Sequence, residues 1–359
     1  MSGALGGNEN GSNRDVIPSR KLLGPVLRSV SRSFYISIRL LPRKLREPVG
    51  LAYLLARATD TVADTSEIPV EMRIETLREL EDVIEGGAFE GAIVDLANSF
   101  LLLQTNEAER NLIEALPACF DFLDRLSSDD RDDVRAVLGK ITKGQALDLA
   151  RSGDPTKPHA LATDLELHEY TYLVAGCVGE FWTRLCFRHV RNFSDVPEGG
   201  MAELGKRYGN GLQLINILRD AHSDLQAGRC YFPVQELEEI GLDPSHILRE
   251  PGRFEFVLEK WREEAQRGLT AGIEYINAIH NRRVRGATAL PALIGARTLA
   301  LLRAAGPTEL QRKIKVPRSE VRRIVASIAI TLADRQSIDR MFRRLLLAAA
   351  TKNISVASP

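Results

Sequence analysis

Two stretches of the chain place polar side chains in single file along otherwise hydrophobic segments. The first is LAYLLARATDTVAD, in which the polar positions step by four, three and four: Tyr53, Arg57, Asp60 and Asp64. Residues spaced in this way fall on one face of an α-helix. The segment is therefore predicted to be a mostly buried helix with one polar stripe.

The second stretch repeats the arrangement some 160 residues later, in GLQLINILRDAHSD. Its polar positions step by three, four and four among leucines and isoleucines: Gln213, Asn216, Asp220 and Asp224. Each of the two predicted helices thus carries an aspartate pair at i, i+4. We expect the two pairs to face each other.

Helical periodicity dominates the rest of the chain, and convincing strand alternation is absent. We predict a single all-α bundle over residues 20–352, between a disordered Gly/Asn/Ser-rich tail at 1–19 and a short tail at 353–359. One helix is predicted from about Lys21 through SVSRSFYISIRLL. A second is predicted over Glu107–Leu126 with a kink at Pro117, and a final one from Glu320 to about Lys352.

Composition narrows the class of protein. Lys+Arg and Asp+Glu are both 48, which argues against a nucleic-acid binder that relies on a global positive field. The four cysteines have no zinc or disulfide spacing, and the N-terminus lacks the apolar core of a signal peptide, so a cytoplasmic location is expected. No apolar run approaches the roughly 20 residues of a transmembrane anchor.

The aspartate pairs require positive charge nearby. Asp60 and Asp64 would lie about 6 Å apart and repel by about 2.5–3 kcal/mol at an effective dielectric near 20. Two facing pairs on buried helices would be costly without compensation. Oxygen ligands without nearby cysteine suit Mg²⁺, which commonly bridges carboxylates to substrate phosphates. With Arg57, Arg219 and Arg229 close by in sequence, the pattern indicates a diphosphate site.

A single DxxxD motif usually marks a solvated helix face, but two copies on apolar helices favour metal binding. The competing hypothesis is a non-catalytic helical scaffold in which the aspartates pair only with arginines. Tyr53 shares the first aspartate stripe and would look into the same cavity. Tyr170 and Tyr172 precede glycines that leave room beside a helix, whereas Phe181 and Trp182 are better explained as core.

Several motifs, in order, resemble the squalene and phytoene synthase family. They are SRSFY at Ser31–Tyr35, YLLARATDTVAD, EYTYLVAGCVG, and NILRDAHSD followed by GRCYFP. The resemblance covers about Ser31 to Arg297. One departure is that Leu173 stands where the family has a second tyrosine, with Tyr172 one position earlier, which leaves open whether Tyr170 or Tyr172 faces the substrate.

The resemblance implies an isoprenoid-synthase fold with a central cavity that binds two prenyl diphosphates, such as farnesyl diphosphate, through Mg²⁺. The implied metal ligands are Asp60, Asp64, Asn216, Asp220 and Asp224. The implied substrate-binding residues are Ser31, Arg32, Ser33, Gln213, Arg219 and Arg229. The implied catalytic residues are Tyr53, Tyr170 and Arg57.

Family members share a first half-reaction and differ in how the second carbocation is quenched. Hydride from NADPH gives squalene, proton loss gives dehydrosqualene or phytoene, and water gives hydroxysqualene. We favour the squalene-forming branch, because QRKIKVPRS resembles a basic segment near the nicotinamide, with Lys313 and Lys315 as its phosphate contacts. The last helix, with Arg343 and Arg344, could touch a membrane surface but is expected to be a packed terminal helix. A bilayer-soluble product still makes peripheral membrane contact an expectation.

Overall fold

The computed structural model describes residues 18–65, 67–87, 100–101, 103–151, 158–311 and 314–348, with the backbone alone at 32, 33, 308, 309 and 311. The predicted tails lie largely outside these ranges, although Ser19 already begins the first helix. What is described is almost entirely helical, as the sequence predicts.

The helices, in chain order, are α1 Ser19–Lys21, α2 Leu27–Leu40, α3 Arg43–Asp64, α4 Val70–Glu85, α5 Glu107–Glu114, α6 Leu116–Asp124, α7 Ser128–Ala150, α8 Asp164–Thr171, α9 Cys177–His189, α10 Glu198–Gln226, α11 Val234–Glu239, α12 Pro251–Ala278, α13 Arg282–Ala305, α14 Arg318–Ile330 and α15 Arg335–Leu347. Two π-helical segments, Leu22–Val26 and Tyr172–Gly176, join α1 to α2 and α8 to α9. Short 3₁₀ turns lie at Pro244–His246 and Gly306–Gln311.

Local signals explain several helix boundaries. Pro117 falls at the first turn of α6, so the predicted kink is a complete break after Glu114. Thr163 caps α8 by accepting a hydrogen bond from the Glu166 amide. Gly86, with φ of 109°, closes α4 in the left-handed conformation that glycine adopts without strain.

One sequence prediction is wrong. The final helix is not continuous, because Leu332 and Ala333 adopt positive φ and separate α14 from α15. Two short parallel strands, β1 at His159–Leu161 and β2 at Arg229–Pro233, also form a small sheet. Strands of three and five residues are too short to produce a recognisable alternation in the sequence.

The bundle has two hydrophobic clusters, and the long helix α10 lies between them. One cluster is built largely from α3, α4, α7 and α9, and the other from α10, α12 and α13. Close helix packing depends on glycines: a Cβ at Gly179 would lie 2.0 Å from the Gly205 carbonyl oxygen, and one at Gly211 would lie 2.7 Å from the Gly268 Cα. The axis of α10 is therefore fixed tightly between α9 and α12, which orients its polar stripe.

One described helix, α13, is long and apolar enough by composition to cross a bilayer. However, 72% of its most apolar window is buried inside the protein. Its side chains pack against α10, α12 and α15, as those of a core helix do.

Candidate active site

The polar stripe of α3 opens onto a cavity of about 610 Å³. Tyr53, Arg57, Asp60 and Asp64 all line it, while the opposite face of α3, including Leu54, is buried in the core. The helical spacing thus puts the four polar side chains at the cavity wall.

Helix α10 supplies the facing wall. Gln213, Asn216, Arg219 and Asp220 line the same cavity, so the structure brings the two aspartate helices together. Asp224 is not among the lining residues. It lies one helical turn further on, where it accepts a hydrogen bond from Arg229 Nη2 at 2.9 Å, and Arg229 itself reaches the cavity.

Arginines partly neutralise these carboxylates. Arg57 Nη1 lies 2.7 Å from Asp60 Oδ2, and its Nη2 lies 2.5 Å from Glu109 Oε1. Burial opposes the charge on Arg57, but the two carboxylates outweigh burial and raise its pKa. On α10, Arg219 forms an ion pair with its neighbour Asp220. Arg229 Nε is buried without a hydrogen-bond partner among the described residues, so a donor remains available to an anionic ligand.

Asp64 is the exception among the four aspartates. It makes no ion pair with another described residue, and burial together with the neighbouring Asp60 raises its pKa to about 6, against partial compensation by Arg57 and Arg229. A carboxylate held in this way gains most from a cation that enters the cavity.

Helix α7 contributes polar groups that the sequence reasoning missed. Gln145 Nε2 donates to Asp60 Oδ1 at 3.2 Å, while Gln145 Oε1 is buried with no hydrogen-bond partner in the part of the chain that the structure describes. Asp148, also on the cavity wall, has a pKa raised by burial despite a hydrogen bond from Tyr231. Gln145 and Asp148 are three residues apart in GQALDLA, so their shared helical face was the available signal.

The two candidate tyrosines lie at the junction of α8 with the π-helical segment and point in different directions. Tyr170 lines the cavity, with its ring 5.0 Å from that of Tyr231, whose hydroxyl donates to Asp148 Oδ1 at 2.7 Å. Tyr172 instead accepts from Lys140 Nζ at 2.6 Å and donates to Glu180 Oε2 at 3.0 Å, outside the cavity lining. The question left open by the sequence is answered geometrically: Tyr170 faces the cavity.

An apolar chamber of about 390 Å³ adjoins the polar cavity. Four residues line both: Tyr53, Val174, Val178 and Asn216. Trp182 packs against the core, as predicted, and also lies in the chamber wall, and Phe181 is buried as predicted. The ring of Tyr53 stacks 5.1 Å from that of Phe34, another chamber residue. The site is therefore acidic at one end and aromatic at the other.

Other predicted site residues lie elsewhere. Ser31 is buried and donates to the Leu27 carbonyl within α2 rather than lining the cavity. The side chains of Arg32 and Ser33 lie outside the description, as does Lys313. Lys315 is exposed and does not line the cavity.

The donor set fits Mg²⁺ that is shared with a ligand. Among the described residues, no three His, Cys, Asp or Glu side chains converge into a closed metal cage. The cavity instead offers dispersed oxygens, of which the Asp64 carboxylate and the orphaned Gln145 Oε1 have the clearest need for a cation. Mg²⁺ keeps several waters and commonly takes few protein ligands together with substrate phosphates, so this set suits it.

Comparison with known proteins gives a consistent picture. Residues 27–320 match the family model described as squalene/phytoene synthase. A squalene synthase of Gibberella zeae is 26% identical over 333 residues, which is 91% of this chain and 67% of that protein. A squalene synthase of Candida albicans is 27% identical over 288 residues, 77% of this chain and 60% of that protein. The chain thus spans about two thirds or less of the length of these relatives.

Solved structures share the fold at lower sequence identity. The ligand complex of the protein designated TcSQS has a TM-score of 0.73 at 22% identity, covering 91% of this chain and 90% of that one. A dehydrosqualene synthase with bound ligand has a TM-score of 0.59 at 21% identity, covering 88% and 97%.

Proposed function

The chain belongs to the squalene/phytoene synthase family, and on that premise we propose that it is a squalene synthase. The proposed reaction condenses two farnesyl diphosphates head to head into presqualene diphosphate, with Mg²⁺, and then reduces this intermediate to squalene with NADPH as the hydride-donating substrate. The observation that carries the proposal is the joining of an acidic, arginine-bearing cavity to an apolar aromatic chamber.

The polar cavity suits diphosphate binding. Arg57, Arg219 and Arg229 would contact the diphosphate oxygens, and the aspartates of α3 and α10 with Asn216 would hold Mg²⁺. When bound, Mg²⁺ supplies charge neutralisation for the departing diphosphate. Because these cationic side chains are already paired to carboxylates, they are pre-positioned before the substrate arrives.

The apolar chamber suits the prenyl chains and the carbocation. Tyr53 lies at the junction, so its ring is placed to stabilise positive charge that forms as the diphosphate leaves. Chamber residues such as Trp182 exclude water from the cation. Burial raises the pKa of Tyr170, so its hydroxyl stays protonated and can donate a hydrogen bond at the polar end.

The NADPH step has its own support. One support is the resemblance of QRKIKVPRS to a segment that lies near the nicotinamide in the family. The other is that squalene synthases are among the relatives. The contact of Lys313 and Lys315 with the cofactor phosphates stays a prediction. So does a peripheral contact with a membrane surface by a protein that releases a hydrocarbon.

One incubation tests the proposal. The protein is supplied with farnesyl diphosphate and Mg²⁺, with and without NADPH, and the hydrocarbon is identified by mass spectrometry. Squalene that forms only with NADPH is the expected result. A conjugated triene or an alcohol formed regardless of NADPH would refute it.

The second candidate keeps the first half-reaction and omits the hydride. A dehydrosqualene synthase shares the fold over 97% of its length, and proton loss to the Tyr170–Tyr231–Asp148 group would replace reduction. Dehydrosqualene from farnesyl diphosphate, phytoene from geranylgeranyl diphosphate, or hydroxysqualene would each identify a member of this alternative branch.

The scaffold hypothesis makes a different prediction about the cavity. If the aspartates served only to pair with arginines, Mg²⁺ and a non-hydrolysable farnesyl diphosphate analogue would not stabilise the protein jointly in a thermal-shift assay. We expect joint stabilisation, because Asp64 is left without an ion-pair partner among the described residues.

A further inference from the structure

The net charge of zero conceals a strongly basic segment near the start of the described chain. Between Pro18 and Arg46 there are eight lysines and arginines and no aspartate or glutamate. Helix α3 carries its aspartates about 21–27 Å from Arg46, at a rise of 1.5 Å per residue. Arg43 and Arg46 of this segment therefore lie at the opposite end of α3 from the aspartates of the candidate active site.

The basic segment folds into a pocket of about 670 Å³. Five cationic side chains line it: Arg20, Lys21, Arg39, Arg43 and Arg46. Glu47 is the one carboxylate among the described lining residues. Glu47 is paired with Arg43 at 3.1 Å. Burial and the neighbouring Arg39 and Arg283 lower the pKa of Arg46, as expected where positive charge is under-compensated.

An apolar groove of about 260 Å³ lies next to the basic pocket, on an adjoining face of α2. Its walls come from α2, α13 and α14, including Ile36, Leu290 and Ile328, and its rim carries the exposed Arg282 and Arg283. Arg283 connects the two features, because its Nε donates to the Leu40 carbonyl at 2.9 Å. The pocket and groove together form one basic and apolar face.

The turn between α14 and α15 projects from this face. Ile330 is 82% exposed and Leu332 is 62% exposed, unusual values for large aliphatic side chains. Leu332 and Ala333 have φ of 50° and 53°, a left-handed conformation that costs non-glycine residues about 1 kcal/mol or more each. The buried Arg285 fixes the turn, since its Nη1 donates to the Ala333 carbonyl at 3.0 Å. Two aliphatic side chains are thus exposed to solvent next to a strained turn that a buried arginine holds in place.

We propose that this face docks on the surface of an anionic phospholipid bilayer. The arginines of the pocket and the groove rim contact lipid phosphates, Ile330 and Leu332 enter the acyl boundary, and the groove receives part of an acyl chain. The charge complementarity and the adjoining apolar surface are the two features that interfacial binding requires. The docking face does not depend on which reaction the cavity performs.

Co-sedimentation with vesicles tests the proposal directly. The full chain is expected to sediment with phosphatidylglycerol vesicles, to ignore phosphatidylcholine vesicles, and to bind less at high salt. The double variant Ile330→Ser/Leu332→Ser is expected to bind at least about tenfold more weakly, because it removes the inserting side chains. Arg39→Gln/Arg282→Gln is expected to lose about fivefold for each arginine.

Matched controls use exposed residues away from this face. Phe256→Ser removes an aromatic side chain that is 71% exposed, about 33 Å along α12 from the end next to Arg285. Arg191→Gln/Arg249→Gln removes two exposed arginines. Both controls are expected to bind like the unaltered protein. Circular dichroism melting checks that each variant is folded.

A site-specific probe reports insertion independently of affinity. All four native cysteines are buried, so Ile330→Cys can be labelled selectively with an environment-sensitive fluorophore. Its emission is expected to shift to the blue with phosphatidylglycerol vesicles, whereas the same label at Phe256→Cys is expected not to shift.

Three outcomes would overturn the proposal. One is equal binding by the double serine variant and the unaltered protein. Another is binding of inorganic diphosphate to the basic pocket with no vesicle binding. The third is self-association abolished by Ile330→Ser/Leu332→Ser without vesicle binding, which would assign the face to a second copy of the chain. Squalene formation is unaffected in each case, so failure here is distinguishable from failure of the proposed reaction.

Discussion

The two aspartate helices are near twins in sequence, but the structure compensates their charges differently. On α10, Asp220 pairs with Arg219 and Asp224 with Arg229. On α3, Asp60 pairs with Arg57 while Asp64 has no ion-pair partner among the described residues and an elevated pKa. Identical i, i+4 spacing therefore does not mean identical electrostatics, because the compensating charges come from other positions in the fold.

The difference indicates unequal roles within one site. A carboxylate already bound to arginine releases that arginine to the diphosphate only when a cation replaces it. An unpaired carboxylate needs the cation from the start. The α3 side of the cavity therefore has the greater need of a cation.

The largest expected effect comes from removing one paired aspartate on each helix. Asp60→Asn and Asp220→Asn should each lower presqualene diphosphate formation about a thousandfold, or about 4 kcal/mol, because in the proposed reaction both carboxylates hold the diphosphate with Mg²⁺. Single-turnover assays with farnesyl diphosphate measure this. Asp132→Asn, an exposed aspartate on α7, is the matched control. Retained turnover in either variant at saturating Mg²⁺ would contradict the metal role.

The second-largest effect is expected from the two tyrosines, Tyr170 and Tyr172, whose removal should change turnover unequally. Tyr170→Phe should reduce turnover about a hundredfold, because the lost hydroxyl faces the cavity. Tyr172→Phe should leave turnover unchanged and only loosen the Lys140–Glu180 contact, with a small loss of thermal stability. The reverse ranking, measured by steady-state kinetics, would show that Tyr172 rather than Tyr170 serves the reaction.

Gln145 offers a test of the difference between α3 and α10. Among the described residues, its side chain donates a hydrogen bond to Asp60 on α3 and to no aspartate on α10. Gln145→Leu should raise the Mg²⁺ concentration for half-maximal activity about tenfold, as expected when a group that orients a metal ligand is lost. Metal titrations at fixed substrate give this value. Gln226→Leu, at the far end of α10, provides a control. An unchanged Mg²⁺ requirement would remove Gln145 from the site.

The smallest effect concerns stability without ligands. The raised pKa of Asp64 means that the folded state holds its proton more tightly than the unfolded state. Its contribution to stability is therefore lost as pH rises from about 4 to about 6. Asp64→Asn should raise the free energy of unfolding by about 1 kcal/mol above pH 6 and have little effect near pH 4. Urea unfolding without Mg²⁺ at several pH values measures it.

The opposite sign is expected for a structural aspartate. Burial would raise the pKa of Asp130, but hydrogen bonds from His189 and Arg188 lower it, so its stabilisation is lost as pH falls. Asp130→Asn should therefore destabilise the protein at pH 7. If both substitutions destabilised it at pH 7, Asp64 would be an ordinary structural carboxylate.

The sequence by itself determined the helical class and the faces on which the site residues lie. Tyr53, Arg57, Asp60 and Asp64 reach one cavity because a period of 3.6 residues is local geometry that needs no tertiary information. The glycines that follow Tyr172 likewise indicated room beside a helix, and at Gly179 the structure shows such close packing.

Only the tertiary structure decided which elements share the cavity and how its charges balance. Gln145 and Asp148 come from α7, and Glu109 reaches Arg57 across 52 positions of sequence. The choice of Tyr170 over Tyr172 depends on how this helix packs, with Tyr172 bound to Lys140 and Glu180. The exposure of Ile330 and Leu332 depends on a turn fixed by the distant Arg285. These features arise from contacts between residues far apart in the chain, and local periodicity contains no record of such contacts.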